Sequence, residues 1–234
     1  MENLVTKTVI GTDDRIPVNE LMELDPEKYK KSLAVALIQF PGGRAGTAWR
    51  VSSKNLMLTN FHVVEGQELN QAKINFYYAK NNEDNEKVSI KGEKLLIHDR
   101  KLDFALFTLD SKAFKTGKID KFGHLDIDPV GAKIGQEIYI PQFPNNYKNY
   151  PCCPKVVSIY TMIDDNKIPA TIEAFKKGKP IVYYTADTGP GSSGSPIISA
   201  STNKVVAINS SHLNDRNRGI NIKPIWKKIK RMMD

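Results

Sequence analysis

Short apolar runs, separated by polar, Gly- or Pro-containing turns, recur along most of this 234-residue chain. Leu33 to Phe40 is the first clear strand candidate, and it stops at Pro41-Gly42-Gly43. Gly46 to Ser52 follows, then Leu56 to Thr59 after a turn at Ser53-Lys54-Asn55. Ala72 to Tyr78 and Val88 to Lys91 flank a polar loop, Asn81 to Asn85, and Phe104 to Leu109 is a strongly apolar strand. Residues 111–129 are mixed and polar and read as a connection between two halves. Beyond them the pattern resumes at Glu137 to Pro141, Val156 to Met162, Ile181 to Tyr184, Pro196 to Ile198, Val205 to Asn209 and Gly219 to Ile222. Many short strands with turn signals between them predict an all-β sandwich or barrel, not alternating βαβ units.

Two segments carry a helical signature. Asp25-Pro26-Glu27 reads as an N-cap, a Pro at the first helical position and an acidic first turn, which predicts a short helix near 26–32. Near the end, Ile225, Trp226, Ile229 and Met232 fall near one face at helical spacing, with Pro224 just before them. This predicts a C-terminal helix packed on the second half. Residues 1–32 read as an N-terminal arm in which Val9-Ile10 begins a strand. The resulting division is an arm over 1–32, a first lobe over 33–120 and a second lobe over 121–234.

Composition adds limits. Hydrophobic content of 40% and charged content of 26% fit a globular protein, and no apolar run approaches the length of a membrane span. No basic-then-apolar leader opens the sequence, so a cytoplasmic protein is expected. Secretion without a classical signal, or a leader absent from this chain, is the alternative. The two cysteines, Cys152 and Cys153, are adjacent and imply no disulfide framework. No Cys/His partners stand at ligand spacing, so neither a metal nor a cofactor is expected. The net charge of +8 reads as a solvated lysine-rich surface, because no aromatic-basic motif accompanies it; specific nucleic-acid binding is not expected.

The candidate chemistry lies in three places. Asp187-Thr188-Gly189-Pro190-Gly191-Ser192-Ser193-Gly194-Ser195-Pro196 is a Gly-rich bend between two β-rich runs. Glycines let such a bend turn its N–H groups toward one point, where they bind a developing oxyanion. His62 follows an apolar strand in Leu58-Thr59-Asn60-Phe61-His62-Val63-Val64. Asp103 opens the apolar strand Phe104-Ala105-Leu106-Phe107, and Asp99 is a second candidate carboxylate without an apolar strand directly after it. A serine hydroxyl is a poor nucleophile until a base takes its proton, and an oriented imidazole serves as that base.

The order His, Asp, Ser is that of the chymotrypsin-type triad. Gly46-Thr47-Ala48-Trp49, Leu58 to Val64, Asp103 to Leu106 and Pro190 to Pro196 together resemble the chymotrypsin-like serine peptidases, closest to the bacterial glutamyl-endopeptidase and HtrA-type branches. Val9 to Arg15 resembles the mature N-terminal stretch of glutamyl endopeptidases. The resemblance implies two antiparallel six-stranded β-barrels with a site between them. It also implies a serine endopeptidase acting on protein or peptide substrates through His62, Asp103 and Ser193, with the N–H groups of Gly191 and Ser193 as the oxyanion hole.

Secreted trypsins carry an Asp directly before the nucleophile, and here Ser192 stands there, so the loop is expected to be held by its own bonds and by Pro190. Asp187 matches the pocket-floor aspartate of trypsin, which implies a preference for Arg or Lys on the acyl side; the alternative role for Asp187 is capping its own turn beside Thr188. Glutamyl endopeptidases carry a histidine where this chain has Asn209, with His212 three residues on; an acidic preference is therefore the alternative. Ser210-Ser211-His212 is the expected edge for pairing with a substrate backbone. A catalytically idle binding module on the same fold is the remaining reading.

Overall fold

The computed structural model describes residues 13–80, 83–144, 155–163, 166–213 and 216–233. The expected strand start at Val9-Ile10 and the Cys152-Cys153 pair lie outside them. Six strands close the first barrel: β2 (Val35–Gln39), β3 (Ala45–Arg50), β4 (Met57–Thr59), β5 (Lys73–Lys80), β6 (Glu83–Asp99) and β7 (Phe104–Leu109), in the order β2-β3-β4-β7-β6-β5. A two-residue β1 (Ile16–Pro17) precedes them in the arm. β7 lies between β4 and β6, and Phe104, Ala105, Leu106 and Phe107 are fully buried, which is why it reads as an unbroken apolar run.

The second half is an eight-stranded antiparallel sheet. It contains β8 (Ile138–Gln142), β9 (Val156–Ser158), β12 (Ile172–Phe175), β13 (Ile181–Tyr184), β14 (Pro196–Ser199), β15 (Val205–Leu213) and β16 (Arg216–Asn221), ordered β1-β9-β8-β14-β15-β16-β13-β12. β10 (Tyr160–Ile163) and β11 (Asn166–Pro169) form a separate hairpin. The sheet curls back on itself: a bridge pairs Glu137 with Thr171, and the Ile138 N–H donates to the Ala170 carbonyl at 2.9 Å. Ile138, Ile140, Ile172, Val182, Tyr184, Ile197 and Val206 fill its interior. The architecture is thus all-β with two curled antiparallel halves of the chymotrypsin type.

Several boundaries differ from the pattern-based expectation. β6 begins at Glu83, inside the expected polar loop, because its ladder with β5 runs on to the Lys80–Glu83 pair. Val156 to Met162 is two strands, broken at Ile159. The connection over 111–129 is less open than its polarity suggests. It contains the one-turn helix α4 (Ser111–Phe114), and Ile119, Phe122 and Leu125 are fully buried. Parallel bridges from Leu125 to Val51 and from Ile127 to Val205 tie it to both halves. The buried Arg50 guanidinium donates to the Ile119 carbonyl at 2.8 Å, which keeps that turn docked.

The described part of the arm packs against the body. A single turn α1 (Leu21–Leu24) leads to α2 (Pro26–Leu33), where Asp25 accepts from the Lys28 N–H at 3.0 Å, the cap that the sequence announces. The fully buried Lys155 donates through Nζ to the Ser32 carbonyl at 2.8 Å and lies over the Phe143 ring, joining arm and second half. After the one-turn helix α3 (Phe61–Val64), the last helix is α5 (Ile222–Met233). It buries Ile222, Ile225 and Ile229, with Trp226 and Met233 half-buried against the core, while Met232 is exposed because it falls beside the Ile225–Ile229–Met233 stripe. Its Lys228 Nζ also reaches Asp99 at 3.1 Å, so the helix touches a first-barrel turn as well as the second sheet.

Candidate active site

The end of β4 delivers the chain into α3, which sets His62 at the mouth of a cleft. Thr59 is buried and donates through Oγ1 to the Thr47 carbonyl at 2.7 Å, and Asn60 Nδ2 donates to the Asp103 carbonyl at 2.8 Å. The two chemical segments are therefore tied through backbone before their side chains meet. Asp103 has φ of +44°, a left-handed conformation costing about 1–2 kcal/mol in a non-Gly residue. Its carboxylate recovers that cost through three donors. The His62 N–H reaches Oδ1 at 3.0 Å, His62 Nδ1 reaches Oδ2 at 2.8 Å, and the Ser210 hydroxyl reaches Oδ2 at 2.7 Å. With Nδ1 donating to Asp103, the Nε2 atom of His62 is left as an acceptor. Asp99 has another job: it accepts from the N–H groups of Lys101 and Leu102, at 2.8 and 3.0 Å, and from Lys228. The Leu102 N–H, foremost among these bonds, holds the Asp99 carboxyl below its ordinary range.

The Gly-rich bend packs against the first barrel at this point. Gly194 has φ of +89°, and a Cβ there would sit 2.1 Å from the Thr47 carbonyl oxygen and 2.4 Å from Thr59 Oγ1. Only glycine fits that approach. The Thr47 N–H donates to the Ser193 carbonyl at 2.8 Å, and Thr47 Oγ1 to the Gly191 carbonyl at 3.1 Å. Among the described residues, the N–H groups of Gly191 and Ser193 have no acceptor within the chain. The Ser193 hydroxyl donates to the Ser210 carbonyl at 3.3 Å and so is turned away from His62, though both line one cleft of about 470 Å³.

What holds the bend is a buried amide that sequence reasoning does not find. Gln142 lies on β8, fully buried. Its Nε2 donates to Ser158 Oγ and to the Asp187 carbonyl, both at 2.8 Å, and its Oε1 accepts from Ser192 Oγ. Ser192 Oγ in turn accepts from the Gly189 N–H at 3.2 Å, and Asn209 Nδ2 donates to the Ser192 carbonyl at 2.8 Å. Self-bonding within the loop is present, and Gln142 and Asn209 anchor it from outside. Gln142→Leu leaves the buried hydroxyls of Ser158 and Ser192 without this partner. A loss of about 1–3 kcal/mol in urea unfolding is expected, with looser packing of the bend.

Asp187 does not line the cleft. It is fully buried, and its Oδ2 accepts from the Asp14 N–H at 3.4 Å. Arm residue Asp14 thus meets the carboxylate that the sequence offers as a pocket floor. Thr188, Ser210 and Ser211 do line the cleft, whereas the side chain of His212 lies outside the described residues. Arg218 also lines it, a residue that no sequence motif in β16 marks.

Burial pushes the Asp14 carboxyl up to about 7, reinforced by the charges of Asp187 and Asp13 and opposed by Lys167 and Arg15. Folded Asp14 thus binds its proton more tightly than unfolded Asp14. Its stabilising contribution is full below pH ~4 and is lost as pH rises through about 7. Asp14→Asn should therefore stabilise the protein at pH 8 relative to wild type, with the difference shrinking by pH 5, read from urea midpoints.

A closed barrel, a second curled sheet and a cleft between them that holds a histidine, an aspartate and a serine define the chymotrypsin-type peptidase fold. The model of the trypsin-like peptidase domain family matches residues 46–208, and the chain belongs to that family. Among solved structures, a Glu endopeptidase in complex with MPD superposes with a TM-score of 0.69 at 19% identity, covering 96% of this chain and 99% of that one. The serine endoprotease from Yersinia pestis gives 0.62 at 17% identity, covering 93% and 67%. Both likenesses are of fold. A curated relative, the secreted RxLR effector protein 73 of Plasmopara viticola, is 25% identical over 178 residues. That alignment takes in 69% of this chain but only 40% of the relative. Among the described residues, no helix is long and apolar enough to cross a membrane.

Proposed function

We propose that the protein is a serine endopeptidase in which Ser193 is the nucleophile, His62 the general base and Asp103 the group that orients His62. The observation that carries this is the paired contact of Asp103 with both the backbone N–H and Nδ1 of His62, at 3.0 and 2.8 Å, in the cleft that Ser193 lines. Rotation about χ1 of Ser193 exchanges its bond to Ser210 for one to His62 Nε2. Such bonds are often unmade without substrate. His62 takes the hydroxyl proton as Oγ adds to the peptide carbonyl, and the oxyanion is held by the N–H groups of Gly191 and Ser193. Collapse expels the amine, which takes the proton from His62, and water repeats the sequence on the acyl-enzyme.

β14 pairs with β15 no further than Ile208, so the Ser210-Ser211 edge is where an extended substrate adds as a strand. The lobes 33–120 and 121–234, with the arm 1–32, are the organisation that suits this chemistry, and it proceeds without a cofactor. A fluorophosphonate tests the reading. Wild type should take one equivalent and Ser193→Ala none. Equal labelling of the two would overturn the assignment.

A further inference from the structure

The cleft has charged residues whose partners can be followed one by one. Glu65 and Arg100 pair with each other at its outer end, and the Arg100 guanidinium lies over the Phe61 ring. Asp103 is engaged by His62 and Ser210. Arg218 remains. Its Nε donates to Ser211 Oγ, and among the described residues no carboxylate pairs with it. It lies opposite Ser211 in the β15–β16 ladder and lines the same cleft as Thr188, Gly189 and Ser193.

This placement is fixed from both sides. Gly219 follows Arg218, and a Cβ there would sit 2.7 Å from the Ile208 carbonyl oxygen, so β16 lies close against β15 at that point. Asn217 precedes it, accepting from Thr188 Oγ1 at 3.0 Å and donating to the Ala186 carbonyl at 2.8 Å. Arg218 is thus carried on a ladder held from both sides, and it lines the cleft that Ser193 also lines. Meanwhile Asp187, the carboxylate a basic substrate side chain needs, is buried under Asp14.

We propose that Arg218 is the specificity-determining residue of this site, receiving the carboxylate of a glutamate or aspartate on the acyl side of the cut peptide bond. Ser211 is its positioning residue. The inference rests on the serine-endopeptidase reading above. A guanidinium on one hydrogen bond keeps a planar fork for a carboxylate, and an arginine–carboxylate pair is about twice as strong as a neutral hydrogen bond. A neutral amide isostere cannot replace the charge.

The test uses matched peptides that differ only in the acyl-side residue: Glu, Gln, Asp, Asn or Arg. Wild type should cleave after Glu or Asp with kcat/KM about 10–100-fold above the matching amide, the range for a hydrogen bond to a charged group. Arg218→Gln should erase that ratio yet still take up fluorophosphonate at Ser193, which shows an intact fold and nucleophile. Arg218→Glu should turn the preference toward the Arg peptide. The same peptides, truncated to end at the acyl-side residue, are titrated into Ser193→Ala protein, where the acid-over-amide ratio should appear in Kd and vanish with Arg218→Gln. Binding thereby tests Arg218 even without turnover. Wild-type preference for Arg, equal treatment of acid and amide, or an acidic preference that survives Arg218→Gln overturns the proposal. Loss of fluorophosphonate uptake by wild type instead strikes the endopeptidase reading beneath it.

Discussion

Ser193→Ala should lower kcat for peptide hydrolysis by about 10⁶-fold, with little change in KM or stability. The size follows from the division of labour in the cleft. Removing Oγ removes the atom that forms the acyl bond, while the Gly191 and Ser193 N–H groups and the substrate-facing edge remain. Those residual elements account for a rate still above that in water. The cost to folding is small because the hydroxyl makes one long bond, 3.3 Å to the Ser210 carbonyl. Losing a bond of this kind costs about 1 kcal/mol at most. Steady-state kinetics beside a urea melt separate the two effects. A kcat within 100-fold of wild type would place the nucleophile elsewhere.

Asp103→Asn should cost about 10⁴-fold in kcat at neutral pH, again with the fold retained. The amide is nearly isosteric, but the side-chain nitrogen that replaces one carboxylate oxygen is a donor. Facing His62 Nδ1, now 2.8 Å from Oδ2, it forces that nitrogen to accept and moves the ring proton to Nε2. His62 then meets Ser193 with a donor where an acceptor is needed. The variant also loses the charge that favours the imidazolium. A small decrease in kcat would mean that Asp103 serves only to cap the turn before β7. Comparison with an Asp99 variant sharpens this, since Asp99 serves the turn at Lys101-Leu102 and Lys228, and its loss should affect stability instead.

How much of this was legible in the sequence depends on where each residue's partners lie. β7 and β13 appear at their observed bounds because local apolar character decides them. His62, Asp103 and Ser193 each stand in a short segment whose composition signals a constrained backbone: a residue after an apolar strand, a residue before one, a Gly-rich bend. Gln142 and Arg218 carry no such mark. Gln142 matters because β8 passes beneath the bend, and Arg218 because β16 pairs beside Ser211. Both follow from pairings between distant segments. The surroundings of Asp187 are hidden for the same reason, since spacing along the chain says nothing of Asp14 arriving over it from the arm. Sequence periodicity also misses β11 and β12, where exposure leaves the Asn166–Pro169 strand no apolar face to show.

The most direct test of the central claim is to trap the acyl-enzyme. Wild type is mixed with an activated peptide ester, quenched in acid within the first turnover and digested for mass spectrometry. The account predicts one acyl group per chain, carried by the peptide containing Ser193, and no acyl group when His62→Ala is treated identically. Hydrolysis by wild type without an acyl adduct, or with the adduct on any other residue, would contradict it.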